Sequence, residues 1–228
     1  MSKDARDREI VELVNSAGKI SVEELAIKIF ASQSTVRRDL KRLEQQGLLR
    51  RLHGGAQSVT SLRPTQVVRH QSNQKEKKLI AARAASYVSE ESCIFLDAST
   101  TVEYMIPHLS GIKNLTVYTN GAYTAIKLSE LGIRVISTGG ELLTESMAYV
   151  GATAIATVRN IYFDATFFSC AAFDDTSMSD WSEDEAILRR AVIEQSRKRY
   201  FLADSSKRGK RFTYTVCQVG ELDGIITE

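Results

Sequence analysis

The sequence predicts an α/β protein in two parts: a small helical domain closed by a β-hairpin, then a larger, mainly parallel sheet with helices between its strands. Three observations carry that prediction. Residues 1–56 hold apolar stripes at helical spacing followed by a hairpin signal, residues 57–75 are polar and aperiodic, and from residue 92 short β-rich runs alternate with helical segments. At 228 residues and 43% hydrophobic, the chain is long enough for a small domain joined to a larger one. The expected boundaries are a first domain over 1–56, a linker over 57–75 containing Pro64, and a second domain over 76–228.

In the first domain Ile10, Leu13, Val14 and Ala17 mark a helix that Gly18 ends. Ser21 with Glu24 three residues on has the form of a capping box, and Val22, Leu25, Ala26 and Ile29 follow as an apolar stripe. Ser32 is the N-cap candidate of a third helix, buried along Val36, Leu40 and Leu43 and stopping near Gly47. Its opposite side carries Ser34, Arg38, Lys41 and Gln45, with Thr35, Arg37 and Arg42 on the shoulders and Ser32 and Gln33 at the start. Guanidinium groups for phosphates or guanine edges, with hydroxyls and amides near the N-terminus for base edges, are what a helix entering the major groove of duplex DNA needs. A solvated surface helix has the same composition, so the next segment decides. In Leu48–Ala56 two strand-like pieces flank Gly54-Gly55, with Arg50, Arg51 and His53 beside the turn, and a hairpin directly after such a helix is a wing. Residues 1–56 carry 11 Lys/Arg against 8 Asp/Glu, +3, and the remainder 19 against 20, −1, so what little basic charge there is lies here.

The second domain opens with a helix along Leu79, Ile80, Ala84 and Val88, on which Lys75, Lys77 and Lys78 read as a solvated face. Five β-rich runs follow, Cys93–Asp97, Leu115–Asn120, Ile133–Thr138, Ala165–Cys170 and Tyr200–Asp204, most ending in a small or polar residue. In open α/β sheets ligands settle beyond the carboxyl ends of the strands. Asp97, Ser99, Thr100 and Thr101 lie after the first run, Thr119 and Asn120 close the second, Gly139 and Gly140 follow the third, and Lys207 follows the last. Together they suggest one polyol-phosphate pocket: Asp97 and Asn120 for sugar hydroxyls, the glycines for close backbone approach, Lys207 as a cation and the hydroxyl run for a phosphate. The loop over 174–182 is acidic and reads as solvated apart from Trp181, which is expected to be anchored.

The run Ser-Thr-Val-Arg-Arg-Asp-Leu-Lys-Arg-Leu-Glu-Gln-Gln-Gly (34–47), closing with His-Gly-Gly-Ala (53–56), resembles the helix-turn-helix of the DeoR family of bacterial regulators. The second domain resembles that family's effector domain in Glu-Lys-Lys-Leu-Ile-Ala (76–81), Thr-Asn (119–120), Gly-Gly (139–140), Asp-Ser-Ser-Lys-Arg-Gly (204–209) and the closing Asp-Gly-Ile-Ile-Thr. The resemblance implies a second domain related to ribose-5-phosphate isomerase and CoA-transferase folds, and a regulator, in particular a repressor of sugar or polyol metabolism genes. It further implies DNA contacts by Ser34, Thr35, Arg37 and Arg38, a bracing role for Asp39, a phosphorylated sugar or polyol as effector, and a homo-oligomer. Phe30 stands where the family usually has glycine, and Ser99, Ser169 and Ala172 stand where or near where it commonly has glycine, so Ser99 and Ser169 are expected to offer their hydroxyls instead.

Other classes fit less well. Cys93, Cys170 and Cys217 are odd in number, widely spaced and set in apolar stretches, which argues against a disulfide framework or zinc site; no metal and no cofactor is expected. The charged start and the lack of any apolar run near the roughly 20 residues of a membrane helix point to a cytoplasmic protein with no membrane partner. A sugar-phosphate isomerase-like enzyme, with Asp97 or Glu185 as base and Lys207 as electrophile, is the alternative; no convincing triad supports it, and an enzyme has no need of a wing. An interaction module binding protein or RNA accounts for the basic helix but not for its pairing with a hairpin.

Overall fold

A computed structural model describes residues 3–46, 48–58 and 66–228. Gly47, the expected helix stop, and Pro64 lie outside the described residues. The chain divides into two compact units, residues 1–69 and 70–228.

The first unit runs α1 (Lys3–Ala17), β1 (Lys19–Ser21), α2 (Val22–Lys28), α3 (Gln33–Gln45), β2 (Leu49–Leu52) and β3 (Gly55–Ser58). Ser21 caps α2 with the reciprocal Glu24 bond of a capping box, and the Ser32 hydroxyl accepts from the Thr35 N–H at the start of α3. Ile10, Val14, Leu25, Val36, Leu40, Leu43 and Leu49 meet in one core. Each such side chain contributes about 1.5–3 kcal/mol when fully buried. β2 and β3 form the hairpin, and β1, too short for its alternation to be read, adds a third strand against β3. Gly55 is required at that contact, since a Cβ there would fall 2.4 Å from the Ile20 carbonyl oxygen.

The region expected to be an aperiodic linker holds α4 (Gln66–Gln71) and the start of α5 (Gln74–Ala85), while β3 reaches Ser58. Six residues of helix are too few to display a period, which is why α4 escaped prediction.

The second unit continues with β4 (Cys93–Leu96), α6 (Thr100–Glu103), β5 (Thr116–Thr119), α7 (Ala122–Glu130), β6 (Arg134–Ser137), β7 (Glu141–Leu143), β8 (Ala148–Val150), α8 (Gly151–Arg159), β9 (Ala165–Phe168), β10 (Ala172–Phe173), β11 (Ser177–Asp180), α9 (Glu183–Glu194), β12 (Arg199–Leu202), β13 (Tyr214–Gln218) and β14 (Gly224–Ile226). Its main sheet has the order β14-β12-β9-β4-β5-β6 with every pairing parallel. The five predicted β-rich runs supply five of the six strands. Parallel pairing puts all their carboxyl ends along one edge, and β4, β9 and β12 lie side by side there. Ile94, Leu96, Val117, Phe167 and Leu202 fill a core with Ile80 and Ala84 of α5.

Two further sheets were not predicted, the β7–β8 hairpin and the antiparallel β10-β11-β13. The second corrects the reading of the 174–182 loop as solvated: Ser177–Asp180 is a buried strand, and only Asp175 and Thr176 are well exposed. Trp181 is anchored edge-on against Phe212 at 4.8 Å. Cys170 and Cys217 are buried and Cys93 half-buried, all three as free thiols, and burial pushes the first two up to about 12. Among the described residues no helix is long and apolar enough to cross a membrane.

Candidate functional site

On α3 the helical period sorts side chains by task. Val36, Asp39, Leu40 and Leu43 are buried, while Gln33, Ser34, Arg37, Arg38, Lys41 and Gln45 are exposed along the opposite face. The Ser32 hydroxyl lies 2.9 Å from both the Ser34 and Thr35 hydroxyls, so a cluster of three hydroxyls marks the helix start. Arg37 donates to Gln33 Oε1 at 3.2 Å one turn back. That face matches the chemistry of a recognition helix.

Arg42 departs from the expected set. Its guanidinium is half-buried and reaches inward to Asp7 at 2.5 Å and Asp39 at 2.9 Å, so it ties α3 to α1. Asp39 is also paired with Arg6 at 2.8 Å. Burial alone would push the Asp39 carboxyl up, but hydrogen bonds from Arg6 and Arg42 outweigh it and hold the group below its usual range.

The wing separates its two arginines. Consecutive strand residues point to opposite faces, and Arg51, opposite Ala56 of the core, turns toward α3, where the Glu44 carboxylate takes its backbone N–H at 2.7 Å and lies 3.9 Å from its guanidinium. Arg50 projects from the other face, and His53 sits exposed at the tip beside Gly54, whose φ of +87° suits glycine. Arg50 and His53 therefore present outward, and Arg51 belongs in part to the fold.

At the carboxyl edge of the main sheet, three adjacent strand ends converge. Lys207, after β12, donates to the Ser169 hydroxyl after β9 at 2.8 Å, and Lys77 of α5 donates to the Thr100 hydroxyl after β4 at 3.1 Å. One carboxylate links these pairs: Asp97 accepts from the Ser99 N–H through Oδ1 and from the Ser169 N–H through Oδ2. Asp204 feels the charge of both lysines. Burial raises its carboxyl, but the Ser206 hydroxyl, Lys207, Asn73 and Lys77 together hold it below the usual range. Thr101 is fully buried beside Thr100 on a helix of a single turn.

Lys77 corrects the expectation of a solvated lysine face. Lys75 and Lys78 are exposed, but Lys77 is 3% exposed, because Ile80, Ala81 and Ala84 on the same side of α5 draw it into the sheet edge. Its spacing to Ile80 and Ala84, three and seven residues, held that signal, whereas the run of lysines around it suggested solvent.

Several expected pocket residues spend their polar atoms on the fold. Asp97 Oδ2 also takes the Nε–H of Arg189 at 2.9 Å, and Arg189 holds Asp180 at 2.9 Å, so a buried cation sits between two buried carboxylates. Burial would lower the Arg189 pKa; Asp97 and Asp180 outweigh it and raise the value. Asn120 takes the Ala98 N–H on its amide oxygen and donates to the Tyr149 carbonyl, and Thr119 Oγ1 accepts from the Gly121 N–H. Gly139 and Gly140, at φ +63° and +111°, lie against α8 and β8; a Cβ on Gly140 would fall 2.3 Å from the Val150 carbonyl oxygen, so packing there calls for glycine without any ligand. The candidate site therefore narrows to Ser99, Thr100, Thr101, Ser169 and Lys207, joined by Lys77.

Comparison with known proteins bears on both regions. A DeoR-like helix-turn-helix domain matches residues 6–62, and the DeoR C terminal sensor domain matches residues 72–228. The chain belongs to the DeoR family. The HTH-type transcriptional regulator YulB of Bacillus subtilis is 40% identical over 98% of this chain and 88% of its own length. GlpR of Haloferax volcanii, an HTH-type transcriptional regulator, is 35% identical over 98% and 89%, and the lactose phosphotransferase system repressor of Staphylococcus aureus is 32% identical over 100% and 93%. Among solved structures, eIF2B delta from Chaetomium thermophilum superposes with a TM-score of 0.51 at 14% identity, over 87% of this chain and 64% of that one, a likeness of fold alone.

Within this DeoR-family chain the departures from the family pattern have local explanations. Phe30 has φ +52°, a left-handed conformation that favours glycine, and its ring is 97% exposed in the α2–α3 turn. The Ser99 hydroxyl accepts from the Val102 N–H as the N-cap of α6, the Ser169 hydroxyl accepts from Lys207, and Ala172 is buried in β10 opposite Ser179.

Proposed function

We propose that this DeoR-family regulator is a cytoplasmic homo-oligomeric repressor of sugar or polyol metabolism genes, released from or tightened on its operator by a phosphorylated sugar. The observation that carries the effector class is the convergence of Lys77 and Lys207 with the hydroxyls of Thr100 and Ser169 on three adjacent strand ends. Two ammonium groups meet the charge of a phosphate and serine and threonine hydroxyls its oxygens, while the neighbouring Asp204 suits sugar hydroxyls. The names of the relatives, a lactose phosphotransferase repressor among them, support the sugar class. On the DNA side Ser32, Gln33, Ser34, Thr35, Arg37, Arg38 and Lys41 would read the major groove, with Arg50 and His53 of the wing on the backbone.

The isomerase-like alternative is less well supported. Asp97, one of its two expected bases, is bound to Arg189 and to two backbone N–H groups, an arrangement that holds the carboxylate on the fold rather than presenting it to a substrate carbon. The test is operator binding by the full chain across a salt series, repeated with a panel of hexose, pentose and polyol phosphates, beside an isomerase assay on the same panel. A steep salt slope and a ligand-dependent change in affinity are expected. Turnover of any panel member without an effect on DNA would reverse the assignment.

A further inference from the structure

We propose that His70 and Asn73 pin the connector between the two units onto the sensor, and that these two pins transmit the state of the effector site to the DNA-binding unit. The proposal rests on the effector reading above. It comes from where the pins attach. The unit boundary falls between Arg69 and His70, inside α4, so whatever holds His70 and Asn73 holds the end of the only described element that crosses it.

His70 is held on α6. The Tyr104 hydroxyl donates to the His70 carbonyl at 3.1 Å and lies 3.1 Å from His70 Nδ1, and the two rings meet edge-on at 5.0 Å. Since that hydroxyl has one hydrogen, already given to the carbonyl, Nδ1 is the donor and Nε2 the acceptor. Lys127 Nζ stands 3.5 Å from Nε2 and 2.5 Å from Glu103 Oε1, completing the set. Burial favours the same neutral imidazole by lowering the His70 pKa, with Glu103 opposing and Lys127 and Lys77 adding to the lowering.

Asn73 is held on the turn after β12. At φ +52° it adopts the left-handed conformation that asparagine tolerates, and its Nδ2 donates to Asp204 Oδ1 at 2.9 Å and to Ser206 Oγ at 3.0 Å. Its carbonyl accepts from the Lys77 N–H at 3.0 Å, so it also starts α5.

Each pin thus lies within one helical turn of a candidate effector group. Glu103 and Tyr104 close the turn that Ser99, Thr100 and Thr101 open; Asp204 and Ser206 precede Lys207; Asn73 precedes Lys77 by four residues. A ligand that pulls on Lys77, Lys207 or the hydroxyl run displaces the groups that grip the connector. The far end of α6 also has a polar group to satisfy by moving: Glu103 Oε2 is buried with no hydrogen-bond partner. Two loops and one connector make a contiguous path with no interface needed inside the sensor.

The test uses the full chain. Amide hydrogen exchange is followed over 66–73, 97–101 and 204–208 without ligand and with inorganic phosphate, glycerol 3-phosphate and fructose 1-phosphate in turn. Protection of both loops together with altered exchange over 66–73 is the expected result. Protection of the loops with 66–73 unchanged overturns the pins and leaves the effector reading standing, whereas no protection by any probe overturns the effector reading and the pins with it. For a probe that protects, operator affinity with and without it is compared in Asn73→Ala and Tyr104→Phe. An allosteric ratio in the ordinary range of about 5–150-fold should shrink to within about twofold in both variants while the probe still protects the loops. Parental ratios in both would overturn the proposal.

Discussion

On α3 two tasks fall to opposite sides of one helix: Val36, Leu40 and Leu43 build the core while Gln33, Ser34, Arg38 and Lys41 face out. At the carboxyl edge of the main sheet no such division exists, because Asp97, Thr119 and Asn120 lie at buried strand ends and spend their polar atoms on the protein itself. A surface helix has water on one side, so polar residues there are free for a partner. A strand end is buried, and every polar atom must find a protein partner before a ligand arrives. The residues proposed for the sensor's site, Lys77 and Lys207 with the hydroxyls of Thr100 and Ser169, likewise hold one another within the fold.

The sharpest way to break this contrast is to remove a residue assigned wholly to structure. Arg189→Ala leaves Asp97 and Asp180 buried without their shared cation, which should destabilise the sensor by about 3–5 kcal/mol. The single tryptophan, Trp181, lies in the sensor and reports its urea unfolding by fluorescence. A loss below about 1 kcal/mol would mean that the two carboxylates had found other partners.

Two substitutions should separate the regions functionally. Arg38→Ala is expected to weaken operator binding by about 1–3 kcal/mol with the response to ligand intact. Lys207→Ala should do the opposite, losing ligand affinity by about 1.5–3 kcal/mol while sparing ligand-free operator binding, as titration calorimetry and gel shift would record. If either variant loses both properties, the division of labour is wrong.

A gentler probe is acid. The folded pKa of Asp39 lies below its unfolded value of about 3.9, so its pairing with Arg6 and Arg42 adds stability that is fully present above that pH and is lost as pH falls through the lower folded value. Far-UV melts of Asp39→Asn should show about 1–3 kcal/mol lost at pH 7 and a smaller difference from the parent at pH 3. The smallest change expected is at Phe30: Phe30→Gly removes left-handed strain but loosens the unfolded chain, and should raise stability by under about 1 kcal/mol in urea melts.

Much of the fold was legible because burial imposes a period. The α2 capping box, the α3 stripe and five of the six sheet strands announced themselves by spacing, whereas β1, β7, β8, β10 and α4 are shorter than the window in which a period shows. The exposed face of α3 was legible for the same reason, with Arg42 the exception, since a shoulder position turns inward only if an acid waits there, and Asp7 lies on another helix.

What the amino-acid order determined by itself was the two-part plan, the family, the exposed face of α3 and the polar strand ends from which the proposed ligand site is drawn. Tertiary structure decided which polar groups at those ends are already taken, that Lys77 is drawn in from a run of lysines to bond Thr100, and that His70 and Asn73 are held by Tyr104 and Asp204. The physical reason is range. Periodicity is a local property of a helix or strand, while the partner of a buried charge comes from wherever the chain happens to return, 92 residues away for Asp97 and Arg189 and 131 for Asn73 and Asp204.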